Sequence, residues 1–441
     1  MVQTDNQFNA ELFNEELCAF LDASPSPFHA VSSMVAILKE AGFSALDEAD
    51  DWQLEPGSKH YIVRNGSSIV AFIVGSNDLA ESGLRLVGAH TDSPCLMIKP
   101  QPDLDKSGYS QLAVEVYGGA LLNPWFDRDL SVAGRLVYKN AKGNLQQKLV
   151  NFEQPMAVIP SLAIHLDREA NKGRTVNPQT DITPVIGISS GGDKSQDFVK
   201  ILQQQFLQTK EQVMDFELCL YDTQPAALIG LDKEFLSSAC LDNLLSCFIA
   251  ARSLVKADST NTCIIACNDH EEVGSVSAVG ADSPFLESVV ARIVAARTSV
   301  SQFHVLNRSL LISSDNTHGV HPNYAHKHDD GHLPTLNAGP AIKTNVKQRY
   351  ATNSATASLF KQFCQQVEVP VQQFVSRNDM ACGSTIGPIT SSRLGIPTVD
   401  IGIPQLAMHS CREIIGSKDP VRLSKVLKEF FDRSDIAIEL E

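Results

Sequence analysis

The chain of 441 residues reads as an α/β protein, a mixed sheet flanked by helices, interrupted by an inserted β-rich block. Three observations predict this. Short apolar runs (Leu84–Ala89, Cys263–Cys267, Leu310–Ser314) end abruptly in His, Asp and Glu, as buried strands do when they spill into loops at a sheet's carboxyl edge. Stretches with helical apolar spacing separate these runs. From about Ile98 to Gly230 the texture changes to short alternating runs with Gly- and Asn-containing loops, the mark of hairpins. Residues 1–97 and 231–441 are therefore expected to form one α/β unit, with 98–230 inserted between its halves.

Taken in order, Phe8–Asp22 carries Phe8, Leu12, Phe13, Leu17 and Phe20 on a helical stripe. Pro25 and Pro27 stop it, and His29–Ala41 is a second helix, with His29 read as a packed or capping residue. Tyr61–Arg64 and Ser68–Val74 flank Asn65-Gly66, a pair that favours positive φ, and predict a hairpin. Leu84–Ala89 is a strand that empties into His90-Thr91-Asp92. In the inserted block, Leu112–Tyr117, Gly134–Lys139 and Phe216–Tyr221 are strands and Asp197–Gln208 is a helix. Phe235–Lys256 is a long helical pattern with Asp242 near its start. A helix at Ser283–Ser299, a strand at Leu310–Ser314, a helix at Ala355–Val367, a strand at Pro397–Ile403 and a closing helix at Val421–Leu440 complete the reading.

Composition narrows the function classes. Apolar content of 43% and charged content of 20% are ordinary for a soluble protein. No apolar run approaches the roughly 20 residues a membrane span needs. The opening residues have neither a basic segment nor a continuous apolar stretch, so no signal peptide is expected. Ten cysteines without a CxxC pair read as reduced thiols. A net charge of −15 disfavours nucleic acid and anionic membranes as partners.

The chemistry lies in side chains at predicted element ends. Cys263–Gly274 reads CIIACNDHEEVG, and adjacent residues of an extended chain point in opposite directions, so Glu271 and Glu272 are expected to divide two tasks. His90 two before Asp92 is a pattern in which a carboxylate holds a ligating imidazole in place. With Asp242, Asp315 and His409, these give two histidines and three carboxylates for a pair of zinc-like ions sharing one bridging carboxylate. Glu271, beside the ligand Glu272, would then act as general base. The tract holding His318, His321, His326, His328 and His332 is read as mostly solvated, with Asp315 the better ligand. Gly383-Ser384 is a small-residue turn that lets backbone approach a ligand.

The segments GAHTDSPCL, CLDNL, DHEEVGS, HGVHPNY, RNDMACGSTIGP and PQLAMHSCRE, together with SPSPFHAV near the start, resemble the aspartyl aminopeptidase family of two-zinc metallopeptidases over nearly the whole chain. The resemblance implies a zinc-exopeptidase-like catalytic domain split by a dimerisation domain. It implies two Zn2+ per subunit, with Mn2+ or Co2+ as candidates in one site. It implies a dimer-based dodecamer in the cytoplasm that removes N-terminal Asp or Glu from peptides with a free amine. By matching motif, His90, Asp242, Glu272, Asp315 and His409 would hold the ions, Asp242 bridging. Glu271 would be the base and Asp92 the support of His90. His165, which its apolar neighbours alone would make structural, would reach a neighbouring subunit's site. Lys343 would pair with the acidic side chain of the substrate, since a buried ammonium needs a partner. Asn316-Thr317 departs from the more apolar pattern expected there. Two other readings share parts of this pattern: a related two-zinc carboxypeptidase or deacylase, indifferent to a blocked amine, and a non-catalytic assembly protein, which would normally lack a ligand or the base.

Overall fold

Residues 9–189 and 197–436 are described here, from a computed structural model. Four strands at the centre of the largest sheet run parallel: Thr262–Asn268, Leu84–His90, Leu310–Ser314 and Thr398–Gly402, in that spatial order. Their carboxyl ends therefore lie along one edge, where open α/β sheets carry their sites. Asn268 pairs with His90, which sets the two motifs side by side. The Asn65-Gly66 hairpin forms as expected, both residues at positive φ, and adds Ser68–Ile73 and Lys59–Arg64 on one flank. Ser44–Ala45 pairs outside Lys59–Arg64, and Ala341–Lys343 and Gln372–Phe374 extend the other flank, giving nine strands among the described residues.

Both faces of this sheet are covered, which is why its strands read as continuous apolar runs. Along Thr262–Asn268, Cys263, Ile265 and Cys267 enter one core, with helices Ala10–Asp22, Pro27–Glu40, Leu241–Lys256, Ser354–Gln366 and Asp419–Asp432. Ile264 and Ala266 enter the other, with helix Phe285–Arg297. The alternation follows from the two-residue period of a strand. Arg85 is fully buried within its strand, and its guanidinium donates to the carbonyls of Ser82, Arg433 and Ser434. A buried cation is tolerated there because backbone oxygens at a helix end satisfy it.

A second sheet of six antiparallel strands takes all its members from Cys95 to Asp222 and has its own core around Leu96, Leu136 and Leu218. A third sheet of five short strands joins Ala227–Ile229 and Phe235–Ser238 to Glu413–Gly416, Pro404–Leu406 and Thr317–His318.

Several expectations need correction. Phe235–Ser238 is a strand, not the start of a helix; it pairs with Glu413–Gly416, and the helix begins only at Leu241. Leu12 faces solvent at 47% exposure, while Leu21 joins the buried stripe; Phe8 lies outside the described residues. The last helix ends at Asp432, where Arg433 turns extended, so the range to Leu440 is too long, and its last residues are outside the described set.

Phe248, on the helix Leu241–Lys256, packs its ring 5.2 Å from Phe13 and 5.3 Å from Phe20. Phe248→Ala is expected to destabilise the chain by about 3–5 kcal/mol through the cavity it leaves. Calorimetry checks this; an unchanged Tm would contradict the packing described.

Candidate metal centre

Each predicted ligand reaches one cleft of about 340 Å³ by a different route. His90 ends a central strand and Asp315 follows another. Glu271 and Glu272 follow Thr262–Asn268 through His270, whose positive φ turns the chain sharply. His409 stands beyond the short strand Pro404–Leu406, also at positive φ. Asp242 precedes the regular part of its helix, where it and Asn243 have non-helical backbone angles, yet no side-chain cap hydrogen bond forms and its buried Oδ1 has no partner, so the carboxylate is not spent on capping.

Two groups of donors emerge, and both contain Asp242. His90, Asp242 and Asp315 form one; Asp242, Glu272 and His409 form the other, and within each the donor atoms lie within 4.8 Å of one another. The carboxylate of Asp242 is divided between them. Its Oδ1 is 3.5 Å from His90 Nε2, and its Oδ2 is 3.6 Å from His409 Nε2. His90 Nε2 is 3.6 Å from Asp315 Oδ1, and His409 Nε2 is 3.4 Å from Glu272 Oε2. A third group joins His90 to Glu271 and Glu272.

The imidazoles are oriented from behind. His90 Nδ1 is 3.0 Å from the Asp92 carbonyl, and His409 Nδ1 is 3.1 Å from the Gly119 carbonyl. A carbonyl oxygen only accepts, so each Nδ1 donates its proton and each Nε2 is the ring atom directed into the cleft. Gly119 belongs to the loop after the strand Tyr109–Tyr117, and a Cβ there would meet His409 Nδ1 at 3.3 Å. Gly118, at positive φ, would press Glu272 Cβ at 3.1 Å. The second sheet thus contributes backbone to the site.

Asp92 does more than face His90. Its oxygens accept the N–H groups of Glu271 at 3.1 Å and Glu272 at 3.0 Å and the hydroxyl of Tyr117 at 2.7 Å. It thereby fixes the tight turn Glu271–Val273. That turn corrects the expectation of an extended Glu-Glu pair: both carboxyls face the cleft. What separates them is their partners, Glu272 lying against His409 and Glu271 toward His90.

Lys343 is buried on the cleft floor, but not as an isolated charge: its Nζ is 3.3 Å from Asp315 Oδ2. That corrects the premise that only a substrate carboxylate could balance it. An ammonium has three donors, so others remain for the cleft it lines. Gly383 and Ser384 line the same cleft; a Cβ on Gly383 would meet nothing, so no steric demand for glycine exists there. Asn316 is buried and donates to the Leu241 carbonyl at 3.0 Å, which gives the unexpected polar residue a bracing role beside Asp242. His165 is exposed on the second sheet's flank and does not line this chain's cleft. Of the histidine tract, His318 lines the cleft, while His332 pairs with Asp329 at 2.7 Å.

Sequence reasoning missed three supports. Glu413 is buried and accepts the N–H of Asp242 at 3.0 Å and of His409 at 2.8 Å, tying two donors together. Asn243 donates to Asp315 Oδ1 at 3.1 Å. Tyr117 holds Asp92. Glu413 sits four residues past His409, the only local signal available; Tyr117, in a distant strand, gave none.

The donor set fits cations. Asp242 Oδ1 is buried with no hydrogen-bond partner. Burial, then neighbouring carboxylates, push Glu272 up to about 10; burial pushes Glu271 up to about 8, opposed by His90 and reinforced by Asp315 and Asp242. Burial likewise raises Asp315, yet Lys343 and His90 hold it below the usual carboxylate range. So many buried acids of one sign call for positive charge among them. Because Glu271 and Glu272 sit above the ordinary 4.5, the folded chain without cations binds more protons than the unfolded chain between about pH 5 and 10. Stability then falls as pH rises through that window. In chelator, Tm is expected to drop from about pH 6 to about pH 9, and excess zinc is expected to flatten the slope. A Tm independent of pH in chelator would contradict this electrostatic picture.

The family profile described as aminopeptidase I zinc metalloprotease (M18) matches residues 20–431. A probable M18 family aminopeptidase 2 of Stutzerimonas stutzeri is 54% identical over 96% of this chain and 99% of its own length. One of Azotobacter vinelandii is 54% identical over 95% and 97%. Among solved structures, a chain of the Ape4 and Nbr1 complex superposes with a TM-score of 0.92 at 38% identity, covering 97% of this chain and 87% of that one. The mApe1 dodecamer of S. cerevisiae gives 0.84 at 30%, covering 96% of each. The chain therefore belongs to the M18 family of aminopeptidases, which its family profile describes as zinc metalloproteases.

Proposed function

We propose that this aminopeptidase removes N-terminal Asp or Glu from peptides with a free amine, using two divalent ions and Glu271 as general base. The observation that carries the two-ion reading is the pair of donor triads sharing Asp242, one oxygen turned to each. His90 and Asp315 would complete one position, Glu272 and His409 the other. Zn2+ suits both by donor type, with Mn2+ or Co2+ as alternatives in one. Ions held there supply Lewis acidity to a substrate carbonyl and make water easier to deprotonate.

Glu271 does the proton work. Burial makes its carboxylate gain by taking a proton, and it shares the cleft wall with His90 and Glu272. It accepts a proton from the attacking water and returns it to the leaving amine. Asp92 keeps His90 and the glutamate turn in register. Lys343, braced by Asp315, offers its remaining donors to the carboxylate of the first residue, and Gly383 and Ser384 supply the facing wall.

The assembly reading rests on the second sheet. His165 lies on an exposed segment with Leu162, Ile164 and Leu166, half to three-quarters exposed. Such a segment suits burial against a second copy, with His165 entering that copy's cleft, residues 98–230 acting as dimerisation domain and dimers building a dodecamer like that of mApe1. Ten free thiols suit the cytoplasm.

Glu271→Gln is expected to lower kcat by roughly 10²–10⁴-fold with metal content unchanged. A near-normal kcat would remove Glu271 as the base. Lys343→Ala is expected to lower kcat/KM on Asp-peptides at least about tenfold more than on Leu-peptides. Equal losses on both would end the account of acidic selectivity. An acylated peptide cleaved as fast as its free-amine form would favour a deacylase instead.

A further inference from the structure

The cleft does not end at His318. Beyond it opens a second cavity of about 320 Å³, and the two share His318, Gly383 and Met408 as a common wall. Their chemistry is opposite. The metal cleft carries Asp242, Glu271, Glu272 and Asp315. Among the described residues lining the second cavity there is no carboxylate; His321, Lys327, His328 and Arg377 stand there instead. In a chain of net charge −15 this lining runs against the average surface.

The cations are not equivalent. Arg377 is held by Asp379 at 2.6 Å and donates to the His326 carbonyl at 2.7 Å, so its charge is largely answered. Lys327, exposed on the turn Ala325–Lys327, feels Asp379 electrostatically but makes no ion pair among the described residues. Phe374, edge-on to His318 at 5.7 Å, and Met380 give the cavity an apolar side. Such a space suits a short chain segment ending in, or carrying, an anion.

We infer that this second cavity receives the peptide beyond the scissile bond and selects there for a carboxylate. The inference rests on the aminopeptidase reading. With the amine end at the donor triads and the buried Lys343 closing the floor behind the first side chain, the rest of the peptide leaves toward the open side, past His318. The carboxylate has two sources: an acidic side chain on the second or third residue, or the C-terminus of a short peptide. Lys327 is its specificity-determining partner, with His321 and His328 beside it.

The test uses the full-length, zinc-loaded enzyme and ratios of kcat/KM, which cancel any loss of active protein in a variant. One arm compares tripeptides with their C-terminal amides; the other compares Glu with Gln at the second and third positions of longer, amidated peptides. Both run with Asp and with Leu as first residue, so a failure of acidic preference at that residue leaves the comparison readable in the Leu series. A roughly three- to tenfold preference for the carboxylate is expected in at least one arm, falling toward one in Lys327→Glu. The arm that responds identifies the source. Ratios near one in both arms, or a preference that Lys327→Glu leaves intact, would overturn the inference.

Discussion

The arrangement depends on one carboxylate facing two ways. Asp242 turns an oxygen toward each of two imidazoles that come from opposite ends of the sequence, His90 and His409. One of those oxygens is buried without a hydrogen bond. Leaving a buried acceptor unpaired costs about 1–3 kcal/mol, more for a charged group, so the fold stores at this point a demand for cations. The surrounding polar contacts keep that demand from relaxing. Glu413 holds the backbone of Asp242 and His409, Asp92 holds the turn of Glu271 and Glu272, and Asn243 and Lys343 hold the two oxygens of Asp315.

The sheet makes this meeting possible. Parallel pairing of four central strands sets their carboxyl ends in one row, so residues hundreds of positions apart become neighbours without long loops. The rigid platform lies between two apolar layers, and the donors stand on the short turns above it. The second sheet is not a mere appendage, because the Gly118-Gly119 loop packs on Glu272 and His409. Any displacement of that sheet is felt at one donor triad before the other.

Much of this was legible in the sequence, for physical reasons. Buried strands write continuous apolar runs, and their abrupt ends in His90, Asp315 and the Glu271-Glu272 pair mark the sheet edge. Asn65-Gly66 fixed its hairpin through positive φ alone. What could not be read was pairing over distance. Phe235–Ser238 looks helical by periodicity and becomes a strand only because Glu413–Gly416 is there to pair with it. Lys343 looks like a lone buried charge until Asp315 is placed beside it. Glu413 reaches the N–H of Asp242 and Tyr117 the carboxylate of Asp92 across distances that leave no spacing in the chain; only Glu413's bond to His409, four residues earlier, is local. The Glu-Glu pair shows the limit of local rules: a turn pinned by Asp92 replaced the extended geometry that alternation assumes.

The histidine tract after Asp315 divides in the same way. His332 answers the nearby Asp329, whereas His318 is carried to the cleft by the short strand Thr317–His318 pairing with Pro404–Leu406. The account as a whole depends on Asp242 serving two ions at once. Anomalous diffraction at the zinc edge from crystals of the zinc-loaded enzyme tests that most directly. Two peaks per chain are predicted, each within ligand distance of a different oxygen of Asp242. A single peak, or two peaks of which Asp242 touches only one, would contradict it.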